Sequence, residues 1–326
     1  MRPPYLRRHG STVQGVTTTR PFRFGVSARA SWEPDAWRQL ARAAEATGFS
    51  TLLLADHLTE MFPPLLPLAS AAEITSTLRF GTFVLNNDFH HPAWLAREVA
   101  TLDALTGGRF ELGMGAGHMK SEYDEVGLGF DAAGVRVERL VESVGLVRRL
   151  LAGETVTHAG EHYRLDGHRC FPVPSSPVPL LIGGNGTRLL RLAAEAADIV
   201  GFAGFHQVHG TSDVALSHFT AAGLDDRLAV VREAAGPRFD DLELNVLVQV
   251  VLVTDDRRAE AEKLAEHFPA LTVDELLDSP FLLLGTHQQM AEQLVERRER
   301  FGLSYIVVFE PAHVDLAPVV EQLAGR

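Results

Sequence analysis

Pro179-Leu180-Leu181-Ile182-Gly183-Gly184-Asn185-Gly186-Thr187 runs a short apolar stretch into a glycine turn, and then into a segment with Leu189, Leu190, Leu192, Ala193, Ala196 and Ala197 on one side at helical spacing. Strand, tight turn and helix in that order make one βα unit, the building block of parallel sheets. Glycines allow positive φ and a close backbone approach, and Thr187 stands where a helix cap is expected. The first turn of a helix offers unpaired N–H groups carrying about half a positive charge. The junction therefore suits an anion, a phosphate above all. It is not the dinucleotide fingerprint, since its spacing departs from G-x-G-x-x-G and no acidic residue closes a following strand at the required distance. The same residues also fit a strand-to-helix turn that binds nothing.

Outward from this unit, the chain alternates β-rich runs with segments of helical period. Strand candidates are Phe24–Ser27, Thr51–Ala55, Arg79–Leu85, Arg109–Gly113, Pro179–Ile182, Ile199–Phe202, Leu242–Val253 and Tyr305–Phe309. Helical patterns cover Asp35–Thr47, Ala93–Leu105, Val135–Ala152, Arg188–Ala197, Ser212–Ala235, Arg257–His267, Gln288–Phe301 and Val314–Leu323. Eight of each predict an α/β fold, a (β/α)8 TIM barrel in preference to an open doubly wound sheet, and 326 residues suit a barrel of that kind. Residues 21–326 read as a single domain behind a flexible N-terminal extension, 1–20. The polar, then proline-rich stretch at about 153–178 reads as a hairpin or lid inserted between the fourth helix and the fifth strand.

Apolar side chains make up 46% of the chain, enough for a sizeable core, and charged ones 22%, an ordinary surface. A formal charge of −12 argues against nucleic acid and acidic membranes, which call for basic faces, and points to a small-molecule partner. The lone cysteine, Cys170, excludes an internal disulfide and a cysteine-based metal cage and fits the cytoplasm. Residues 1–20 lack the apolar core of a signal peptide, polar Ser11 to Thr19 follow Arg7-Arg8, and no run approaches the length of a membrane span.

In such barrels the chemistry collects at the C-terminal ends of the strands. The second strand candidate ends in Asp56-His57, a carboxylate beside an imidazole that can donate to a polar ring atom or exchange a proton near neutral pH; a plain loop histidine is the competing reading. The third closes on the amides Asn86 and Asn87. The fourth ends Gly113-Met114-Gly115-Ala116-Gly117-His118, whose alternating glycines let a flat ligand reach the backbone or let the barrel pack tightly. His118, Glu122, Tyr123 and Asp124 place hydrogen-bonding and proton-transfer groups on the following loop. Trp32, Trp37 and Trp94 are expected to pack helices on the barrel, His90-His91-Pro92 to lead into a helix cap, and Arg188 and Arg191 to meet phosphate or lie on a solvated face. His158, His162 and His168 have irregular spacing and no clear carboxylate partners, so no metal site is expected.

Leu54-Ala55-Asp56-His57, the run Leu78 to Leu85, Gly107 to Gly117, and Leu181-Ile182-Gly183-Gly184 occur in that order, followed by Ala197-Asp198-Ile199-Val200 and Leu284-Gly285-Thr286. Over about 22–311 they resemble the bacterial luciferase-like monooxygenase superfamily and, among its branches, the coenzyme F420-dependent oxidoreductases, whose second strand commonly ends Asp-His. The resemblance implies an isoalloxazine-like ring at the barrel mouth, with the cofactor phosphate at Gly183, Gly184, Asn185, Gly186 and Thr187. It also implies a bulge with a non-prolyl cis peptide at Phe83-Val84 behind the ring. By the same resemblance Asp56, Phe83, Val84, Asn86, Gly115, Ala116, Gly117 and Tyr123 contact the cofactor, and His57 polarises the ring or handles the substrate proton. His118 replaces the usual Trp, or the catalytic Glu of the family's sugar-phosphate dehydrogenases. Sugar-phosphate oxidation is therefore not implied, and His118 either acts as a general acid or lines the pocket. The expected activity is F420-dependent hydride transfer involving an unidentified small organic substrate. The alternatives are an FMN-dependent monooxygenase using reduced flavin and O2, and a catalytically silent binding paralogue. Relatives often pair through helices flanking the barrel, so a homodimer is expected.

Overall fold

In the computed structural model, which describes residues 20–29, 33–207, 214–216 and 218–326, eight parallel strands close into a barrel. They are β1 (Arg23–Ala28), β2 (Thr51–Leu54), β3 (Arg79–Thr82), β4 (Phe110–Gly115), β5 (Leu180–Gly183), β6 (Ile199–Phe202), β7 (Glu243–Val248) and β8 (Leu303–Phe309). Each hydrogen-bonds to its neighbours in chain order, and β1 pairs with β8 to close the ring. The (β/α)8 barrel expected from the sequence is the fold observed. Its strands are nearly continuous apolar runs because helices cover one face and the barrel's own interior covers the other.

The surrounding helices are α1 (Pro34–Thr47), α2 (Leu65–Ala72), α3 (Pro92–Leu105), α4 (Lys120–Val126), α5 (Ala133–Leu151), α6 (Thr187–Ala196), α7 (Ala221–Ala235), α8 (Arg257–His267), α9 (Val273–Asp278), α10 (His287–Phe301) and α11 (Ala312–Leu323). In α1, Pro34 occupies the first turn, where its missing N–H is no loss. Trp37, Leu40, Ala41 and Ala44 then face inward at helical spacing, and Gly48 ends the helix at φ 89°.

The elements depart from the expected one-to-one alternation. Helix α2, between β2 and β3, carries Leu65-Leu66-Pro67-Leu68, which has no polar side to mark a period. Helices α8 and α10 both fall between β7 and β8. The expected strand Leu242–Val253 is two strands: β7 ends at Val248, and Val250–Val253 leaves the barrel to pair in parallel with Leu282–Gly285. Gln249 marks the break, its N–H donating to Phe281 O at 2.8 Å and its side-chain amide to Ala203 O at 3.0 Å. The expected helix Ser212–Ala235 lies partly outside the described residues and begins at Ala221, with Thr220 capping Gly223 N. The insertion at 153–178 contains an antiparallel hairpin, Thr155–Ala159 with Arg164–Arg169. Trp37 is buried as expected and donates to Pro67 O at 2.9 Å, whereas Trp94 stands on the outer side of α3, 64% exposed. Trp32 and residues 1–19 of the expected extension lie outside the described residues; Arg20, its last residue, donates to Asp241 O at 2.8 Å.

The barrel interior is layered. At the N-terminal end Arg23 donates to Glu243 at 2.7 Å and to Glu111 at 2.6 Å, Arg79 donates to the same Glu111 oxygen at 2.6 Å, and the Arg23 guanidinium stacks 3.6 Å above the Tyr305 ring. Burial alone would raise the Glu111 carboxyl, but Arg23 and Arg79 outweigh it and hold the group below its ordinary value. Above this ionic layer Leu53, Leu181, Ile199, Leu247, Tyr305 and Val307 form an apolar plug, with Phe83, Val84 and Phe309 partly buried against it. Those three make the floor of the mouth.

Strand β3 breaks after Thr82 and resumes as Leu85–Asn86, which pair with Met114 and Gly115 of β4. The Phe83–Val84 peptide between them is cis, as expected. Thr82 Oγ1 donates to Gly113 O and accepts Gly113 N–H, both at 2.8 Å. A Cβ at Gly113 would lie 1.9 Å from Thr82 O, and one at Gly115 would lie 2.6 Å from a Val84 methyl. Gly113→Ala is therefore expected to destabilise the fold by about 3 kcal/mol. Gly145→Ala, on α5 with open space around it, should stabilise it by about 0.5–1 kcal/mol. Chemical-denaturation midpoints at constant m check both signs.

Candidate active site

Past β2, Asp56 and His57 go to different walls of the mouth. Asp56 Oδ2 accepts Asn86 N–H at 3.1 Å and faces His90 Nε2 at 2.8 Å, so its carboxylate ties the β2 loop to the strand that follows the bulge. His57 Nδ1 lies 3.0 Å from Glu122 Oε1, and the same oxygen accepts Leu58 N–H at 2.9 Å. The His57 ring meets His118 edge-on, with centroids 5.5 Å apart and planes at 83°. His118 stands exposed on the rim but is hemmed in by protein atoms. That desolvation, with repulsion from His57 and Arg136, pushes its imidazole down to about 4, leaving it neutral at pH 7.

Tyr123, expected to contact a cofactor, exposes no surface. Its hydroxyl lies 3.0 Å from both Asn86 Oδ1 and Asp88 Oδ2, and burial raises its phenol, which stays protonated. A side chain on Gly117, at φ 72°, would fall 2.1 Å from that hydroxyl. The space a Cβ would take at Gly113, Gly115 and Gly117 is thus occupied by the chain's own atoms, as tight packing requires. Arg136 of α5 clamps the segment beyond them, donating to Ala116 O at 3.3 Å and to Gly117 O at 3.4 Å.

The glycine turn joins the same rim. Gly183 lies beside Val84, whose methyl would be 3.7 Å from a Cβ there. Gly184, at φ 154°, spends its N–H on Gly201 O at 3.1 Å. Asn185 is buried, its side chain donating to Phe205 O at 2.6 Å while its carbonyl accepts from Arg227 at 3.2 Å. Thr187 is not the cap: Gly186 occupies that position in an extended conformation without a side-chain bond, and the helix begins on Thr187, one residue too late for its hydroxyl to cap the first turn. Gly186, Thr187 and Arg188 are exposed, so the uncapped first-turn N–H groups open to solvent. Arg188 pairs with Glu138 at 2.6 Å on an exposed face.

Away from the mouth, His158 has the carboxylate partner not expected of it, Glu142 at 2.7 Å, which also accepts the N–H groups of His162 and Tyr163 at 3.0 Å and so anchors the hairpin on α5. No group of three or more metal-ligating side chains occurs among the described residues. His91 caps α3, accepting Ala93 N–H at 3.3 Å. Two site residues escaped the sequence reading. In the sequence His90 is one residue of a run leading into a cap, and Glu122 one acid among several after the fourth strand.

The chain matches the luciferase-like monooxygenase family over residues 16–272 and belongs to it. As a member of this class it is an oxidoreductase. It is 35% identical over 251 residues to an F420-dependent glucose-6-phosphate dehydrogenase of Nakamurella multipartita, covering 74% of this chain and 71% of the relative. It is 32% identical over 310 residues to a protein of the same name from Microbacterium testaceum, covering 91% and 87%. An F420-dependent secondary alcohol dehydrogenase solved with an F420-acetone adduct shares the fold, with TM-score 0.73 at 19% identity over 93% of this chain and 98% of that one.

The depressed His118 sets a pH dependence. Unfolded, the ring has the ordinary value of 6.5, and folded about 4, so between these values the unfolded chain binds the extra proton. Stability present above 6.5 is lost as pH falls through that window. Urea midpoints for wild type and His118→Asn should therefore differ least above about 6.5 and diverge as pH falls toward about 4, the variant having the flatter profile.

Proposed function

We propose that this protein is an F420-dependent oxidoreductase moving a hydride between the deazaflavin and a small organic substrate. The observation that carries the reading is the apolar floor of Phe83, Val84 and Phe309, walled on one side by His57 and His118 and adjoined on another, through Val84, by the glycine turn at the start of α6. A flat tricyclic ring fits against such a floor, and its anionic tail suits the exposed first-turn amides beyond Gly186. When bound, the deazaflavin supplies the hydride-accepting or hydride-donating carbon. The chain's own part is to exclude water below the ring with the apolar plug, to orient the ring edge against the β2 loop, and to manage the proton that must leave or join the substrate along with the hydride. His57 at the rim is the group for that proton, and neutral His118 lines the wall beside it. The dehydrogenase names of the relatives, together with the Asp56-His57 pair, favour this reading over flavin-dependent oxygen chemistry.

Mixing the protein with F420 and with FMN and following fluorescence quenching should give saturable F420 binding and little response to FMN. Micromolar FMN binding without F420 binding would turn the reading to a monooxygenase, and silence with both to a non-catalytic paralogue. Once a substrate is found, His57→Ala should lower kcat by about 100-fold or more while the F420 Kd stays within about tenfold, ~1.4 kcal/mol.

The same reading takes a cytoplasmic homodimer. It is supported by the buried, unpaired thiol of Cys170 and by Leu66, Trp94 and Leu105, which are 77%, 64% and 59% exposed on neighbouring α2 and α3. Sedimentation should show a dimer that Trp94→Glu shifts toward monomer.

A further inference from the structure

We propose that Glu122 is a positioning residue that fixes the tautomer of His57, so that Nε2 is the nitrogen offered at the barrel mouth with a free lone pair. Two donors converge on one oxygen: Leu58 N–H reaches Glu122 Oε1 at 2.9 Å, and His57 Nδ1 lies 3.0 Å from the same atom. An ionised carboxylate can only accept, so Nδ1 must carry the proton of this contact. A neutral ring then has its hydrogen on Nδ1 and an acceptor at Nε2. The Glu122 side chain is 4% exposed, so water does not compete for that oxygen. The Leu58 bond holds the backbone beside the imidazole as well as the ring itself, which fixes the direction in which Nε2 points. His118 packs edge-on against the ring, keeping it from swinging to another partner. Glu122, in the first turn of α4 beyond β4, and His57, on the loop after β2, are 65 residues apart, so only the closed barrel brings them together.

The catalytic part of this inference rests on the proton-handling role given to His57 above, but the tautomer does not. It is read on the protein alone, without cofactor or substrate, by nitrogen-resolved NMR of labelled histidine at a pH where the ring is neutral. Wild type is expected to show His57 protonated at Nδ1. Glu122→Gln keeps an acceptor oxygen of the same reach and should retain that form, whereas Glu122→Leu should move the proton to Nε2. In turnover, Glu122→Leu should lower kcat by about 10–100-fold with KM nearly unchanged, and Glu122→Gln should recover most of it. A wild-type ring protonated at Nε2 overturns the proposal, as does a Glu122→Leu variant with unaltered tautomer or unaltered kcat. If Glu122→Leu does not fold, the wild-type and Glu122→Gln spectra still decide. A failure to bind F420 would leave the spectra readable, so the two ideas fall separately.

Discussion

The seating of the Thr82–Asn86 bulge on the glycine face of β4 is the contact on which the mouth depends. With side chains at positions 113 and 115 there would be no room for Thr82 O or for Val84. Once seated, Val84 reaches across to Gly183 and joins the floor to the glycine turn. Asn86 carries the constraint the other way, donating its N–H to Asp56 and accepting the Tyr123 hydroxyl at its side-chain oxygen. Tyr123 is on α4 next to Glu122, which in turn holds His57. A single packing choice thus locates both walls of the mouth. Its cost is the backbone entropy of several glycines, offset by dense contact within the barrel.

At the opposite end the barrel is closed by charge. A buried ion pair is weak support for stability, because desolvation offsets most of the attraction. Arg23 nevertheless fixes three strands at once, bonding from β1 to Glu111 on β4 and Glu243 on β7. The plug of Leu53, Leu181, Ile199, Leu247 and Val307 separates this ionic end from the mouth. Fields from the base are therefore remote from whatever sits on Phe83, Val84 and Phe309, and the charge felt there comes from the loops. That division agrees with the general assignment of stability to the bottom of such barrels and of chemistry to the top.

The eight barrel strands were legible because each is a short, mostly apolar run bounded by turn residues, and that same pattern hid the break at Gln249: Leu242–Val253 reads as one apolar run, and the competing partner Leu282–Gly285 divides it. Helix α2 was silent because it has no polar stripe. The turn Gly183–Thr187 was found, but not the residue on which the helix begins, a difference of one position that moves Thr187 out of the cap. Asp56 and His57 stood out as a pair, whereas their partners did not. His90 and Glu122 lie 34 and 65 residues downstream, and no local pattern encodes which acid or imidazole a closed sheet will bring opposite them.

The two neighbouring residues also show why a motif is not a role. A chain leaving a strand sends successive side chains to opposite sides, so Asp56 turns to the bulge and His57 to α4. Asp56 Oδ2 receives two donors and holds two segments together. Among the described residues His57 bonds through Nδ1 alone, and an imidazole tied at one nitrogen still has the other to offer. Of the pair, the carboxylate ties two segments together while the imidazole keeps one nitrogen turned away from its carboxylate partner, a division that follows from which partners the barrel supplies rather than from the acidity of either group.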